Sequence, residues 1–252
     1  MSREIIVFDM WSDFAHFRRG YTTTSSLTYP FPPKTAIIGL VACFLGIPNE
    51  RNEKENYYKI FTPENLKIGI RILNPVKTIM IKENLIDPKL GFLLKGRTQI
   101  PIQFLKDPKY RIYLWLSKNL KNESEKLIEF LKEHKSFYTP YLGITECIAN
   151  FNFVGSFSFK EPKRKNDCYE IDSVIPKSIG EIKVEEGKTY GTVKMPIFID
   201  ENRQPKLFEE FVYLEDGNPF NGKERNPIRL FSLKCKTDYL SVCINEENVI
   251  LF

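Results

Sequence analysis

Residues 5–45, IIVFDMWSDFAHFRRGYTTTSSLTYPFPPKTAIIGLVACFL, contain the pattern from which the fold is predicted. Ile5 to Phe8 is apolar at every position, which is typical of a strand that is covered on both faces. Residues 13–28 are polar and irregular, so we expect a long loop there. Prolines end that loop, and apolar residues then recur at three- and four-residue spacing until Gly46. This spacing predicts a helix whose first turn contains the prolines and whose end is the glycine.

The next 110 or so residues extend this pattern with further strands and one more helix. Alternation at 67–72 predicts a strand with one buried and one basic face, and 110–116 predicts a second strand. Between them, turn signals and lysines in 76–103 indicate an irregular hairpin. Asn122 and Glu125 resemble a capping box at the start of a second helix, which a strand at 144–153 follows. The predicted class is therefore α+β, with the ferredoxin-like βαββαβ order.

The chain is predicted to consist of two regions. Residues 1–160 form the ferredoxin-like domain, with the hairpin at about 76–103 inserted as a thumb. Residues 160–165 are polar and include Pro162, which is typical of a boundary. Short β-like runs follow, so residues 161–252 are expected to form a smaller, mostly β region.

Composition limits the possible partners and compartments. The 37 Lys and Arg exceed the 32 Asp and Glu, and the resulting net charge of +5 is compatible with a nucleic-acid partner. Five cysteines without a C-x-x-C pair support neither a disulfide framework nor a zinc site, so we expect a cytoplasmic protein without a metal or other cofactor. The longest apolar stretch, residues 36–47, is too short to cross a bilayer, and the first residues do not have the pattern of an export signal, so we expect neither a membrane span nor export.

Three candidate sites carry basic or aromatic residues. The first combines Arg18 and Arg19 with Lys34 and Thr35 at the start of the predicted helix, where free backbone N–H groups favour anions such as phosphate. Ordinary surface charge is the alternative. The second is the hairpin edge at Arg97, Thr98 and Gln99, where cations and amides suit a single-stranded backbone, although edge-protecting charges explain the pattern equally well.

The third candidate is the strand face that carries Arg111, Tyr113 and Trp115. Aromatic residues on a strand stack bases in RNA-recognition sheets, but they lie more often in a core, and we expect core here.

Catalysis has little support in the sequence. The chain has two histidines, of which His134 is expected to complement the C-terminus of a helix. His16 lies beside the arginines and has the chemistry of a general acid or base, but no accompanying catalytic constellation is found. Paired carboxylates at metal spacing, a nucleophile elbow and a Walker loop are also missing. We therefore predict a protein that is not an enzyme and has no catalytic residue.

Several segments resemble a known family. Residues 14–19, FAHFRR, and 28–40, TYPFPPKTAIIGL, resemble the N-terminal signature of the fifth family of CRISPR-associated (Cas) proteins. Further segments resemble the type I-B members of that family: RTQIP at 97–101 with FL at 104–105, YRIY at 110–113, and YTPYLG at 138–143 with EC at 146–147. The resemblance extends from residue 5 to about residue 155.

The resemblance implies a RAMP-type ferredoxin-like fold whose thumb is the hairpin at 76–103. It also implies a role inside Cascade, the CRISPR surveillance complex, where such subunits hold and cap the repeat-derived 5′ handle of the CRISPR RNA. The implied protein partners are the backbone subunit, from the seventh Cas family, and the large subunit, from the eighth. That role is architectural and RNA-binding, in antiviral defence.

Carried over by motif, the resemblance implies a set of handle contacts in the loop, the helix start, the thumb base and a glycine turn: Arg18, Arg19, Tyr29, Lys34, Thr35, Arg97, Thr98, Gln99, Tyr141, Leu142 and Gly143. Type I-C relatives cleave precursor RNA with a tyrosine, lysine and histidine set. A Lys-His dipeptide is not found here, because His134-Lys135 has the reverse order. Two alternatives stay open: a metal-independent endoribonuclease that matures CRISPR RNA, and a ferredoxin-like regulatory protein without RNA.

Overall fold

The computed structural model describes residues 4–20, 26–48, 57–86, 97–163, 167–200, 204–219, 225–234 and 239–252. These ranges contain a mixture of antiparallel sheets and few helices, as the predicted α+β class requires. The helices are α1 (Lys34–Leu45), α2 (Tyr57–Ile60) and α3 (Lys121–Lys132). The strands are β1 (Glu4–Trp11), β2 (Phe14–Ala15), β3 (Leu66–Ile72), β4 (Lys77–Ile86), β5 (Arg97–Lys106), β6 (Lys109–Leu116), β7 (Asn150–Ser158), β8 (Tyr169–Ile171), β9 (Ile175–Pro176), β10 (Gly180–Lys183), β11 (Tyr190–Ile199), β12 (Pro205–Leu214), β13 (Ile228–Leu233), β14 (Leu240–Ile244) and β15 (Glu247–Leu251).

The main sheet has four antiparallel strands in the order β3-β6-β1-β7. The first strand is central, as predicted, because Ile5 to Phe8 is apolar at every position and both faces of the strand are covered. All four residues are at most 2% exposed. The last strand differs from the prediction: β7 begins at Asn150, and residues 141–148 instead form a tight turn closed by a bridge between Tyr141 and Ile148.

Helices α1 and α3 cover one face of this sheet. The predicted first helix is confirmed, and it ends at Gly46, which has a positive φ of 75° and donates its N–H to the Ala42 carbonyl. The second helix is also confirmed, but the predicted capping box is wrong. A 3-10 turn at 118–120 leads into α3, Leu120 occupies the N-cap, and no side chain caps the helix.

The hairpin of β14 and β15 covers the other face of the sheet. Tyr113 and Trp115 pack with the inward side chains of this hairpin, including Val249 and Leu251. A Cβ on Gly69 of β3 would lie 2.5 Å from Val249 Cγ1, so the glycine lets the hairpin lie directly on the strand. The aromatic strand face is therefore core, as expected, and it is closed to bases.

A network of buried charges lies under the same hairpin. The Glu247 carboxylate of β15 pairs with Arg71 Nη1 at 3.0 Å and with Arg111 Nη1 at 2.9 Å, and it accepts a hydrogen bond from the Tyr113 hydroxyl. Asp9 is a second partner of Arg111, at 2.7 Å. The prediction that strand 67–72 has one basic face is therefore wrong for Arg71, which is 1% exposed. The carboxylate of Glu247, more than 170 positions away in the sequence, neutralises the charge of Arg71.

Residues after 160 share core with those before it. Phe31 packs against Phe211 and Tyr213 of β12 at centroid distances of 6.1 and 5.6 Å, and Val193 and Met195 of β11 belong to the core cluster that contains α1. The short β-like runs predicted in this region correspond to β11, β12, β13 and β14. The boundary at 160 stays an interpretation of the sequence.

The predicted hairpin is formed by β4 and β5, which pair antiparallel from Lys77 with Lys106 to Ile86 with Arg97. Strand β2 pairs antiparallel with β5, so the three strands form a sheet in the order β2-β5-β4. Lys82 of the predicted basic edge is exposed, whereas Lys89 and Lys95 lie outside the described residues. Among the helices that the structure describes, none has the length and apolar character that a bilayer span needs.

Candidate nucleic-acid interface

The loop that carries Arg18 and Arg19, called the basic loop, is closed by hydrogen bonds between its two ends. Tyr29 donates its N–H to the Phe17 carbonyl at 2.8 Å, Arg19 donates its N–H to the Leu27 carbonyl at 2.9 Å, and Arg18 forms a bridge with Thr28. The Phe17 N–H also reaches the Thr28 hydroxyl at 2.9 Å. The arginines therefore lie on a fixed antiparallel ladder, although residues 21–25 between its ends are outside the described part of the chain.

The two arginines of the loop have different surroundings. Arg18 is exposed. Arg19 is half-buried, donates from Nε to the Thr28 carbonyl at 2.9 Å, and holds its guanidinium carbon 5.7 Å from the centre of the Tyr29 ring. Tyr29 itself is 4% exposed. Arg18 is thus the side chain that faces outward, while Arg19 and Tyr29 stiffen the loop beneath it.

His16 ties the loop to the thumb hairpin. Its Nδ1 lies 2.7 Å from the Gln103 carbonyl and its Nε2 lies 2.9 Å from the Ser26 hydroxyl. A carbonyl only accepts, so Nδ1 carries the proton, and the Nε2 of a neutral ring accepts from Ser26. The ring is 3% exposed, and both of its nitrogens are used inside the protein.

Gln103 is a site residue that sequence reasoning missed. Its side-chain oxygen accepts the Thr28 N–H at 3.2 Å, and its own N–H reaches the Ser26 carbonyl at 2.9 Å. Through these bonds the base of the thumb and the basic loop form one unit. The sequence shows no signal for this contact, because the two segments lie more than 70 positions apart.

The glycine turn packs directly against the loop. The His16 N–H donates to the Leu142 carbonyl at 3.1 Å. Gly143 has a φ of 95°, and a Cβ there would lie 1.9 Å from the His16 carbonyl oxygen. Only glycine fits this position. The structure therefore packs the predicted turn at 141–143 against His16 and Phe17, directly before the predicted residues Arg18 and Arg19. Within the turn, Tyr141 is 41% exposed, whereas Leu142 is fully buried and belongs to the core.

The start of α1 does not present Lys34 to solvent, as the predicted anion site would require. Lys34 is 4% exposed, and its Nζ donates to the Phe252 main-chain oxygen at 2.8 Å. Burial, together with repulsion from Lys67, lowers the pKa of Lys34 to about 7. Its amine points into the protein, so it is not part of an outer anion site. Thr35, the next residue, is half-buried.

The thumb-base residues lie at the start of β5. Gln99 is exposed and pairs with Asn84 of β4. Arg97 and Thr98 belong to the same strand, but their side chains are outside the described part of the chain. Their predicted contact with RNA stays a prediction.

A groove of about 510 Å³ runs beside the glycine turn. It is bordered by α1 and by the segment 138–143, and its lining combines small and aromatic residues: Ala36, Gly39, Leu40, Ala42, Cys43, Ile47, Pro48, Tyr57, Tyr138, Thr139, Tyr141 and Gly143. Ala36, Gly39 and Cys43 form a stripe of small residues on α1, and this stripe faces the groove.

Solved structures with a similar fold come from CRISPR systems. A CRISPR protein from Archaeoglobus fulgidus aligns over 98% of this chain and 98% of its own, with 16% identity and a TM-score of 0.56. A chain of a CRISPR RNA-guided surveillance complex aligns over 83% of this chain and 89% of its own, with 11% identity and a TM-score of 0.52. At such identities the likeness concerns the fold alone.

The family comparison covers most of the region that builds the interface. A search of curated proteins found no match. The family model described as CRISPR-associated protein (Cas_Cas5) matches residues 5–173, which include the basic loop, α1, the thumb hairpin and the glycine turn. The resemblance to the fifth Cas family is thereby confirmed, and the chain belongs to the Cas5 family of CRISPR-associated proteins.

Proposed function

We propose that this protein is a non-catalytic RNA-binding subunit of a type I CRISPR surveillance complex of the I-B kind, in which it holds and caps the 5′ handle of the CRISPR RNA. Family membership supports a role in CRISPR RNA-guided defence. The observation that carries the finer proposal is the junction of the exposed Arg18 loop with the Gly143 turn, two segments that are 125 positions apart.

The junction suits a phosphate backbone for two reasons. Arg18 carries its guanidinium on a backbone that the ladder already orders, and this group can form charge-assisted, bidentate hydrogen bonds with a phosphate. Gly143 is exposed, so a nucleotide can reach the outer side of the turn, while its inner side packs against the His16 carbonyl. Such contacts recognise charge and shape rather than sequence, as the capping of an RNA end requires.

The architecture supports the same role. We interpret the fold as ferredoxin-like for two reasons. The main elements follow the order strand, helix, strand, strand, helix, strand, and the main sheet has the strand order β3-β6-β1-β7. In this interpretation the hairpin of β4 and β5 is the thumb, and Gln103 at its base bonds to the basic loop. Ile79 and Met80 on β4 are 43% and 51% exposed, which suits contact with neighbouring subunits in a cytoplasmic complex. We propose a backbone subunit of the seventh Cas family and a large subunit of the eighth as those neighbours.

The non-catalytic part of the proposal rests on His16. A general acid or base must reach the proton that it transfers, yet both ring nitrogens of His16 bond within the protein and the ring is buried. The rival endoribonuclease function makes a distinct prediction. It requires site-specific cleavage of repeat RNA in the presence of EDTA, and such cleavage, lost in His16→Ala, would refute the non-catalytic role.

The proposal is tested by the affinity for RNA that carries the repeat-derived handle. Arg18→Ala should weaken binding about fivefold to tenfold, because one charge-assisted phosphate contact is lost. The matched control is Lys121→Ala, which removes the same charge from an exposed position on α3. It should change the affinity by less than about twofold. Equal effects of the two variants would show that only net charge matters and would remove the loop from the proposal.

A further inference from the structure

We propose that the groove beside α1 is a slot that receives one unstacked base of the bound single-stranded RNA. This inference rests on the proposed function, because it names the part of the RNA that the groove takes. The groove's volume of about 510 Å³ lies within the range of about 300–1,000 Å³ that is typical of small-molecule sites.

The floor of the slot is the small-residue stripe of α1. A Cβ built on Gly39 would meet no heavy atom within 4 Å, apart from the local helix backbone, in the part of the chain that the structure describes. Glycine weakens a helix interior relative to alanine, and here it does not serve packing within the described chain. The other faces of α1 contact the sheet, α3 and β11. The described part of the chain therefore leaves open space beside Gly39.

The walls of the slot are tyrosines. Tyr138 and Tyr141 line it while 49% and 41% exposed, and Tyr57 lies on the lining as well. Tyr138 is fixed to the helix, because its N–H donates to the Cys43 carbonyl at 3.2 Å and its own carbonyl accepts from Cys43 Sγ at 3.1 Å. Rigid aromatic rings at an open site are the usual platforms for bases of single-stranded RNA.

The charge distribution favours a nucleotide over an apolar peptide. The described residues that line the groove include no Asp, Glu, Lys or Arg, and burial raises the pKa of the Cys43 thiol, which keeps it neutral. These lining residues suit an uncharged group. At one end, however, the lining includes Gly143, which abuts the His16 carbonyl, and the exposed Arg18 lies two residues further along that loop. A neutral base with an anionic phosphate matches both parts of this surface.

The test places a larger side chain at Gly39, on the floor of the slot. Gly39→Leu places a branched side chain in the groove, and Gly39→Ala is the matched control that adds only a methyl group to open space. The probes are fluorescent RNAs with the handle sequence, either intact or with one abasic nucleotide at successive positions. Thermal unfolding of each variant checks that the fold is intact.

We expect Gly39→Leu to bind the intact RNA about tenfold more weakly than the wild type and Gly39→Ala to bind it normally, since a stacked base contributes about that factor or more. One abasic position should weaken the wild type by a similar factor and have no further effect on Gly39→Leu. If Gly39→Leu fails to fold, Tyr141→Ala should show the same loss, and Tyr141→Phe, which keeps the ring, should not.

Each contrary result has a separate meaning. Wild-type affinity in Gly39→Leu, or an equal loss at every abasic position in both proteins, would overturn the base slot and leave the proposed function standing. Unchanged RNA affinity combined with the loss of a co-purifying subunit would show that a protein segment occupies the groove, and it would overturn the inference equally. Failure of the wild type to bind the intact RNA would instead refute the proposed function.

Discussion

Gly143 shows how one residue determines whether two distant segments meet. Its positive φ excludes most other residues, and its missing side chain admits the His16 carbonyl. The sequence pointed to this glycine through a motif. The structure adds that the His16 carbonyl, two residues before Arg18, makes the close approach.

Gly143→Ala should therefore lower the free energy of unfolding by at least about 2 kcal/mol, because it adds a steric clash to the strain of a positive φ. Gly187→Ala is the matched control: Gly187 has a φ of 81°, but a Cβ there meets no atom within 4 Å. It should lose only about 1 kcal/mol. Urea unfolding measures both variants, and equal losses would show that contact with His16 contributes nothing.

The lowered pKa of Lys34 should make the stability of the protein depend on pH. Its folded pKa of about 7 lies below its usual value of 10.5, so between these values the unfolded chain binds more protons than the native protein. Stability must therefore rise with pH in this window. The free energy of unfolding of the wild type, relative to that of Lys34→Met, should increase by about 2 kcal/mol from pH 7 to pH 9. A constant difference between the two proteins would mean that Lys34 stays charged in the native state.

Other predicted site residues turned out to be buried for reasons that a pattern does not show. Tyr29 and Leu142 are parts of the support below the surface rather than of the surface itself. Gln103, by contrast, went unnoticed because its role consists of hydrogen bonds to two backbone groups and needs no special residue pattern. Motifs pointed to the segments, but they did not show which of the side chains in those segments face outward.

Among the helices and strands, those with strong periodicity were predicted well. Helix α1, strands β1 and β6 and the thumb hairpin follow from apolar spacing and turn signals, because local sequence alone sets these patterns. The basic face expected for β3 was wrong, since alternation reveals which residues share a face and not what covers that face. The predicted strand at 144–153 began too early because the turn at 141–148 contains apolar residues that resemble strand alternation.

The contact between β15 and the main sheet is testable through Glu247. Glu247→Gln keeps the shape but removes the charge that Arg71 and Arg111 share, so it should lower the free energy of unfolding by about 3 kcal/mol or more. Glu246→Gln, at the exposed neighbouring position, should have an effect within about 0.5 kcal/mol. Denaturant unfolding distinguishes the two, and similar small losses would show that the network adds no net stability.

The molecule as a whole depends on contacts that no local pattern predicts. Strands β14 and β15 close the sheet face on which an RNA-recognition module would stack bases, and this displaces the candidate interface to the loop, the turn and the groove beside α1. The segments that build this interface are separated by up to 125 positions. A sequence can suggest each segment by itself, but only the folded chain shows that they meet.

The central claim is that cations of the folded chain hold the phosphates of a guide RNA, and the salt dependence of binding tests it most directly. With roughly three neutralised phosphates, a plot of the logarithm of the association constant against that of salt concentration should slope near −2 for handle RNA. Arg18→Ala should make this slope shallower by about 0.7. A flat response in the wild type, or the same slope in both proteins, would contradict the account.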